Sequence, residues 1–185
     1  MCGRFALFAS SEEVAQHFGV GEVFIPKSRY NVAPTQRVAV VTANCDAERQ
    51  FSMMQWGLVS YWAEERSIAN SLINARAETV GRKPAFRDAL TKRRCIVIAS
   101  GFYEWGETEE GKWPFFISPK NGLPMAFAGL WEIWRNGVET TLQSCVIITT
   151  DANQLLSPVH KRMPAILDPM EQALWLDLET KKRWL

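Results

Sequence analysis

The clearest chemistry in this sequence belongs to Cys2, which follows the initiator in Met1-Cys2-Gly3-Arg4-Phe5. Removal of Met1 would leave a thiol and a free α-amine on one carbon skeleton. Such an amine condenses with an aldehyde to a Schiff base, and the neighbouring thiol then closes onto the imine carbon to give a thiazolidine. The α-amine has a reference pKa of about 7.7 to 8.0, so part of it is unprotonated at neutral pH. The N-terminus is therefore a candidate trap for aldehydes, although many second residues serve only translation or processing.

A carboxyl group among aromatic residues is the second candidate. Glu104 lies in Gly101-Phe102-Tyr103-Glu104-Trp105, directly after an apolar run that ends at Ala99. Aromatic neighbours would remove water from this acid, and a carboxyl group in such surroundings can transfer protons near neutral pH. The alternative is an ordinary carboxylate in a solvated turn.

An amide and a guanidinium alternate in Ile73-Asn74-Ala75-Arg76-Ala77-Glu78. If this segment is extended, Asn74 and Arg76 lie on the same face. Together they can hold a sugar and its phosphate. The alternative is an Asn that caps the backbone and an Arg in a salt bridge, for example with Glu78.

His160 begins His160-Lys161-Arg162-Met163-Pro164, which follows Pro158 in a predicted loop. A loop histidine beside two cations can donate or accept a proton near pH 7. His17, next to Phe18 in a predicted helix, is interpreted as structural. The sequence has no GxSxG motif, and Gly19-Val20-Gly21 lacks the third glycine of a dinucleotide fingerprint.

Composition limits the class of protein. With 185 residues and 47% hydrophobic content, the chain predicts one domain over residues 1–185 with a substantial core. The four cysteines form no CxxC pair and only two histidines could supplement them, so neither a metal site nor a disulfide framework is expected. The sequence has no membrane-length apolar run and no signal-peptide pattern. We expect a soluble, cytoplasmic monomer without a cofactor, associated with the nucleoid if it is bacterial.

Charge and tryptophan content bear on partners. A net charge of +1 means that any nucleic acid must be held by a local basic cluster. Eight tryptophans are more than an interior usually needs, and several adjoin polar or charged residues. We expect some of them to face a site, while most pack in the core with the indole N–H on a carbonyl.

The elements that must position these residues are short. Capping-box patterns at Ser10 with Glu13 and at Asp168 with Glu171 predict two helix starts, and a third helix is predicted from Pro84 to about Leu90. Runs rich in β-branched or aromatic residues predict strands, with glycines at hairpin-like intervals. The predicted strands are Val38–Thr42, Phe51–Trp56, Cys95–Ala99, Phe115–Ile117, Met125–Leu130 and Cys145–Thr149, and the glycines are Gly101, Gly111, Gly122 and Gly137. This pattern favours an α+β domain with a curved, barrel-like, mostly antiparallel sheet and peripheral helices.

Taken together, the motifs resemble those of the SRAP family, the SOS-response-associated peptidase-like proteins that crosslink themselves to abasic sites in single-stranded DNA. The matching segments run in order across nearly the whole chain, which makes the set highly specific. They are Cys2-Gly3-Arg4-Phe5, Arg29-Tyr30-Asn31-Val32-Ala33-Pro34, Trp56-Gly57 with Trp62, Ile73-Asn74-Ala75-Arg76-Ala77-Glu78-Thr79, Gly101-Phe102-Tyr103-Glu104-Trp105 and His160-Lys161-Arg162-Met163-Pro164.

The resemblance implies a role for each matching residue. Cys2 would form the thiazolidine with the ring-opened deoxyribose aldehyde, Glu104 would transfer protons, Asn74 would orient the sugar and the amine, and His160 would protonate the sugar oxygen. The family's phosphate-binding positions correspond to Arg4, Arg76 and Arg162. Its base-packing positions correspond to Pro34 and Trp62. Stacking combined with phosphate contacts would hold a single strand without reading its sequence.

One difference from the family and two rival functions remain. Family members continue past the segment corresponding to Trp184-Leu185 with a Val-Asn motif that this sequence lacks. We expect that difference to affect stability and DNA affinity more than chemistry. The rivals are a thiol autopeptidase, in which Cys2 acts with Glu104 and His160, and a non-covalent single-stranded DNA binding module.

Overall fold

The computed structural model describes residues 2–136 and 140–179, and the elements below belong to those ranges. The helices are α1 (Ser11–Phe18), α2 (Pro84–Lys92) and α3 (Pro169–Leu176), with a 3-10 helix at Arg66–Asn70. The strands are β1 (Arg4–Leu7), β2 (Arg29–Val32), β3 (Arg37–Ala43), β4 (Arg49–Trp56), β5 (Asn74–Arg76), β6 (Arg94–Ala99), β7 (Gly101–Thr108), β8 (Gly111–Ile117), β9 (Met125–Asn136), β10 (Thr140–Asp151) and β11 (Arg162–Pro164).

Five strands form a closed barrel in the order β10-β4-β3-β6-β9, because β9 also pairs with β10. Most pairings are antiparallel, whereas β10 runs parallel to β4 and to β5. Strands β5 and β11 both extend the sheet beside β10. The predicted α+β class with a curved, mostly antiparallel sheet is confirmed.

A second, four-stranded antiparallel sheet has the order β2-β1-β7-β8. The chain passes from the barrel to this sheet between β6 and β7, which only Ser100 separates. The Ser100 N–H donates to the Ala6 carbonyl at 2.7 Å, and its Oγ accepts from the N–H of Phe8 at 3.0 Å. These bonds fix the N-terminal strand against the point where the chain changes sheets.

The core consists mainly of two layers that follow the alternation of the barrel strands. On β3, Val38 and Val40 belong to one cluster and Ala39 and Val41 to the other. The second cluster also contains side chains of all three helices, so it lies outside the barrel beneath them. The first fills the barrel, where Phe5 lies 5.1 Å from the Trp56 ring.

The helix predictions are confirmed. Ser10 and Glu13 form a complete capping box on α1, and Asp168 and Glu171 form one on α3. Helix α2 begins at Pro84 as predicted and continues two residues beyond Leu90. Local hydrogen bonding decides the starts of α1 and α3, because each cap satisfies N–H groups that the first turn leaves without partners.

Several strand predictions need correction. The six predicted strands exist but most are longer, while β1, β2 and the long β7 were not predicted as strands. Gly101 lies at the start of β7 and not in a hairpin turn. Glycine is required there because a Cβ would lie 2.4 Å from the Phe116 ring. Residues 162–164, predicted as loop, pair with β10 as β11. Gly111, with a φ of +104°, does lie at the β7–β8 hairpin, and Gly137 falls outside the described residues.

Gly57 is a position where the backbone requires glycine. Its φ is +125°, and a Cβ there would lie 2.5 Å from the Ala69 carbonyl oxygen. The segment after β4 therefore packs directly against the 3-10 helix. Within the described ranges, no helix has the length and apolar character needed to span a membrane.

Candidate active site

Cys2 lies at the edge of the barrel core, immediately before β1. Its side chain is fully buried, and its Sγ lies 3.9 Å from the Arg4 carbonyl oxygen, the acceptor of a weak S–H hydrogen bond. Burial raises the pKa of the Cys2 thiol far above its usual range, and the nearby negative charge of Glu104 raises it further. Both effects favour the protonated thiol over the thiolate.

Asn74 holds the backbone of Cys2 in place. Strand β5 pairs with β10, where Asn74 lies opposite Ile147. The alternation along β5 buries Ala75 in the core and leaves Asn74 on the other face. The Asn74 Nδ2 donates a 2.8 Å hydrogen bond to the Cys2 carbonyl oxygen. Its Oδ1 is buried and has no hydrogen-bond partner among the described residues. Because buried acceptors are normally satisfied, this oxygen is available to a proton of the N-terminal amine or of a ligand.

Glu104 and His160 form the acid–base part of the site. Glu104 lies on β7 and is only 3% exposed, so the expectation that it loses contact with water is confirmed and the solvated-turn alternative is wrong. One of its carboxylate oxygens, Oε2, lies 4.0 Å from the His160 Nδ1. His160 lies in the loop between β10 and β11, as predicted, and its Nδ1 accepts a 3.0 Å hydrogen bond from the Arg162 N–H.

The four predicted catalytic residues therefore come together from four different parts of the chain. Asn74 contacts the backbone of Cys2, the charge of Glu104 acts on the Cys2 thiol, and His160 lies beside Glu104. The backbone and thiol of Cys2 are thus placed near a buried carboxylate and an imidazole. Such a set can exchange protons with an aldehyde during nucleophilic addition.

Arg162 forms ion pairs and hydrogen bonds within the protein. Its guanidinium lies 2.7 Å from a carboxylate oxygen of Glu78 and 2.7 Å from one of Asp151, and it donates to the Thr149 carbonyl at 2.6 Å. Its side chain is 14% exposed. The hydrogen bond that Arg162 donates to Glu78 is the main reason that the pKa of Arg162 is raised. The predicted phosphate contact stays a prediction, and the structure adds a second role, since Arg162 ties β11 to β10 and to the end of β5.

The other two predicted phosphate-binding arginines are more accessible. Arg76 is exposed at the end of β5, and within residues 2–136 and 140–179 no carboxylate lies within 4.0 Å of it. The alternative pairing with Glu78 does not form, because Glu78 is paired with Arg162. Arg4 is half-exposed, and its Nη1 donates to the Gly3 carbonyl at 2.9 Å.

The two predicted base-packing residues lie in turns. Pro34 occupies the second position of a turn that the Gln36 N–H closes onto the Ala33 carbonyl at 3.3 Å. Thr35 follows with a φ of +70°, an unusual conformation for a β-branched residue. Trp62 is 52% exposed in the turn after Ser60. Both positions are available for contact with a ligand, and their contact with bases stays a prediction.

An open groove partly lined by Arg4 and Trp105 was not foreseen as a unit. It has a volume of about 550 Å³ on the outer face of the four-stranded sheet. Trp105, 42% exposed, is one of its walls, whereas Trp56, Trp134 and Trp175 bury the indole and donate to carbonyls. The alternation of aromatic residues around Glu104 was the available signal. The groove is lined by Arg4, Asn31, Tyr103, Trp105 and Pro114.

Comparisons with known proteins find similarity over nearly the whole chain. The sequence profile of the family described as SOS response associated peptidase (SRAP) matches residues 1–184. The abasic site processing protein YoqW of Bacillus subtilis is 38% identical over 182 residues, covering 96% of this chain and 80% of that protein. The abasic site processing protein YedK of Escherichia coli is 30% identical over 186 residues, covering 97% and 81%. A crystal structure of a Bacteroides thetaiotaomicron protein superposes with a TM-score of 0.89 at 28% identity, covering 99% of this chain and 84% of that one.

Proposed function

Because the chain belongs to the SRAP family, we propose that it processes abasic sites by binding single-stranded DNA and forming a thiazolidine between Cys2 and the ring-opened abasic sugar. The observation that carries this proposal is the placement of the Cys2 backbone and thiol against Asn74 and Glu104. A buried thiol without a suitable electrophile would be inert. An aldehyde delivered by a DNA strand is such an electrophile.

The first step is formation of an imine. Once Met1 has been removed, the neutral α-amine of Cys2 attacks the C1′ aldehyde of the open sugar and forms an N–C bond. Proton transfer to the former aldehyde oxygen lets it leave as water, and His160 with Glu104 is placed to supply that proton. The buried Oδ1 of Asn74 accepts an N–H of the amine, which points the nitrogen lone pair at the carbon.

The second step closes the ring. Since its pKa is raised, the Cys2 thiol keeps its proton until the imine is present. Sulfur then bonds to the imine carbon, the thiol proton passes to Glu104, and the imine nitrogen takes up a proton. The net change is addition of S–H across C=N, with no oxidant or reductant. Overall, the protein and the DNA join with loss of one water.

Binding of the strand relies on local groups, because the net charge is only +1. Arg4, Arg76 and Arg162 would contact phosphates. The exposed rings of Trp62 and Trp105 offer stacking surfaces, and stacking tolerates any base. This combination fits a ligand recognised by its missing base and not by its sequence.

The test is to incubate the protein lacking Met1 with single-stranded DNA that carries one abasic site. We expect a heat-stable adduct whose intact mass equals protein plus DNA minus one water. The same strand with the aldehyde capped by an alkoxyamine should give none. Absence of any adduct overturns the proposal, whereas an adduct seen only after borohydride reduction would indicate an imine without ring closure.

The proteins with and without Met1 should be compared in the same assay. A retained Met1 turns the Cys2 amine into an amide, so no adduct should form. If purified protein removes its own Met1 and Cys2→Ser does not, the autopeptidase alternative is supported.

A further inference from the structure

A second polar groove is lined by residues of β3, β4, β10 and the 3-10 helix. It has a volume of about 510 Å³, and five of its six lining residues are polar. The proposed crosslinking chemistry does not use it. The groove is lined by Arg37, Gln55, Arg66, Thr141, Leu142 and Gln143.

The arginines of this groove are connected through shared partners. Arg37 lies directly opposite Gln55 in the β3–β4 pairing, and the Arg66 Nη2 donates to the Gln55 Oε1 at 3.2 Å. The Arg37 Nη2 donates to the Met53 carbonyl at 2.8 Å. Arg29 continues the row, because its guanidinium donates to the Arg37 carbonyl at 2.5 Å. Three guanidinium groups therefore lie along one stretch of surface.

Within residues 2–136 and 140–179, no ion pair neutralises these charges. Among the described residues, the side chains of Arg29, Arg37 and Arg66 donate to neutral carbonyl or amide oxygens. In the parts of the chain that the structure describes, no carboxylate lies within 4.0 Å of any of them. Arg162, in contrast, has two carboxylates. A row of arginines held only by neutral acceptors is suited to bind an anion.

The segment that contains Trp62 and the 3-10 helix at Arg66–Asn70 is packed against the barrel. Val59, Ala69 and Trp134 form a small core cluster beneath it, and the Trp134 Nε1 donates to the Ala63 carbonyl at 2.6 Å. Arg66 is therefore held in place four residues after Trp62, which is predicted to contact bases.

The groove also adjoins the Pro34 turn. Gln36 accepts at its carbonyl from the Trp56 N–H at 2.9 Å, and its side chain accepts from Arg29. Gln36 thus links the Pro34 turn to β4 and to Arg29. A strand that contacts Pro34 and Trp62 has guanidinium groups close by along the chain, because Arg37 follows Pro34 by three residues and Arg66 follows Trp62 by four.

We infer that Arg29, Arg37 and Arg66 form a second phosphate-binding track, which holds the single-stranded DNA that flanks the abasic site. This inference rests on the proposed function and adds to it the requirement for flanking strand. The track contacts phosphates only, because the groove offers no exposed aromatic side chain for stacking. It therefore increases affinity for long substrates and does not change the crosslinking chemistry.

The experiment compares two abasic oligonucleotides, one short and one extended on both sides, in the Cys2→Ser background so that reversible binding is measured. The variant is Arg37→Gln with Arg66→Gln. The control is Arg82→Gln with Arg87→Gln, which removes the same charge beside and on α2. For the extended strand, we expect the variant to flatten the slope of log affinity against log salt by about 1.4, from about 0.7 per lost phosphate contact. For the short strand, the slopes of variant and control should agree.

Each outcome decides the question. Equal salt slopes for variant and control on the extended strand overturn the track. Crosslinking of the short strand by the protein with Cys2 intact then shows that the proposed function stands. If the protein with Cys2 intact neither binds nor crosslinks either strand, both proposals are overturned. If the variant loses affinity only when the flank is base-paired, the ligand of the row is duplex DNA and the single-strand assignment is wrong.

Discussion

The Asn74 side chain donates a 2.8 Å hydrogen bond to the carbonyl oxygen of Cys2, although 72 positions separate the two residues. This bond joins the short strand β5 to the N-terminal segment that carries the candidate nucleophile. It fixes the residue whose amine and thiol must reach the same carbon atom. The position of Cys2 therefore depends on the pairing of β5 with β10 and not on the N-terminal segment alone.

Cys2→Ser should lose the heat-stable DNA adduct and keep the fold, because a hydroxyl closes onto an imine less effectively than a thiol and the product is labile. Intact-mass analysis of heated mixtures measures this directly. Cys45→Ser is the matched control, since Cys45 is an exposed free thiol elsewhere in the chain. An undiminished adduct in Cys2→Ser would reject the thiazolidine.

Glu104→Gln should slow the covalent step and leave DNA binding nearly intact, because the amide keeps the shape of the side chain and loses its ability to titrate. General acid–base catalysis typically contributes about a hundredfold to ten-thousandfold, and a loss of that order is expected in single-turnover time courses at saturating DNA. Glu107→Gln, on the same strand but exposed and paired with Lys112, is the control. Crosslinking at the parental rate would leave His160 as the next candidate for the acid.

Arg76→Ala and Arg162→Ala should differ, although the same role was predicted for both. Loss of exposed Arg76 should flatten the salt dependence of binding by about 0.7 and leave stability unchanged. Loss of Arg162 should also lower the free energy of unfolding, by about 1 kcal/mol, because Glu78 and Asp151 lose the guanidinium that joins them, while the Thr149 carbonyl keeps its bond from the Ala77 N–H. Salt titrations together with urea denaturation separate the two effects. Unchanged slopes in both variants would remove these arginines from the interface.

Glu78→Gln should make the stability of the protein less dependent on pH. The hydrogen bond from Arg162 lowers the pKa of Glu78 below its ordinary value of 4.5 in the folded state. The resulting stabilisation is complete above 4.5 and is lost as the pH falls through the folded-state pKa. Denaturation curves should show a deficit for the variant at neutral pH that shrinks in acid. Glu109→Gln, in the β7–β8 turn, should show no such trend, and a deficit that is constant with pH would contradict the linkage.

Features decided within a few residues could be predicted from the sequence. The capping boxes at Ser10 and Asp168 each satisfy backbone N–H groups three positions away, so neighbouring residues alone set these helix starts. The β-branched runs of β3, β6 and β10 predict strands wherever they are paired. The ordered motifs around Cys2, Asn74, Glu104 and His160 were sufficient to indicate the family.

Long-range pairing decided the rest. Strand β7 contains Glu104 among aromatic residues, and nothing local distinguishes a solvated turn from a strand between β1 and β8. Glu78 is two residues from Arg76 yet pairs with Arg162, because β5 and β11 both extend the sheet beside β10 and bring these side chains together. The burial that raises the pKa of the Cys2 thiol likewise comes from packing against the barrel core. Register and barrel closure are cooperative properties of distant segments, so only the tertiary structure could fix which groups share the site.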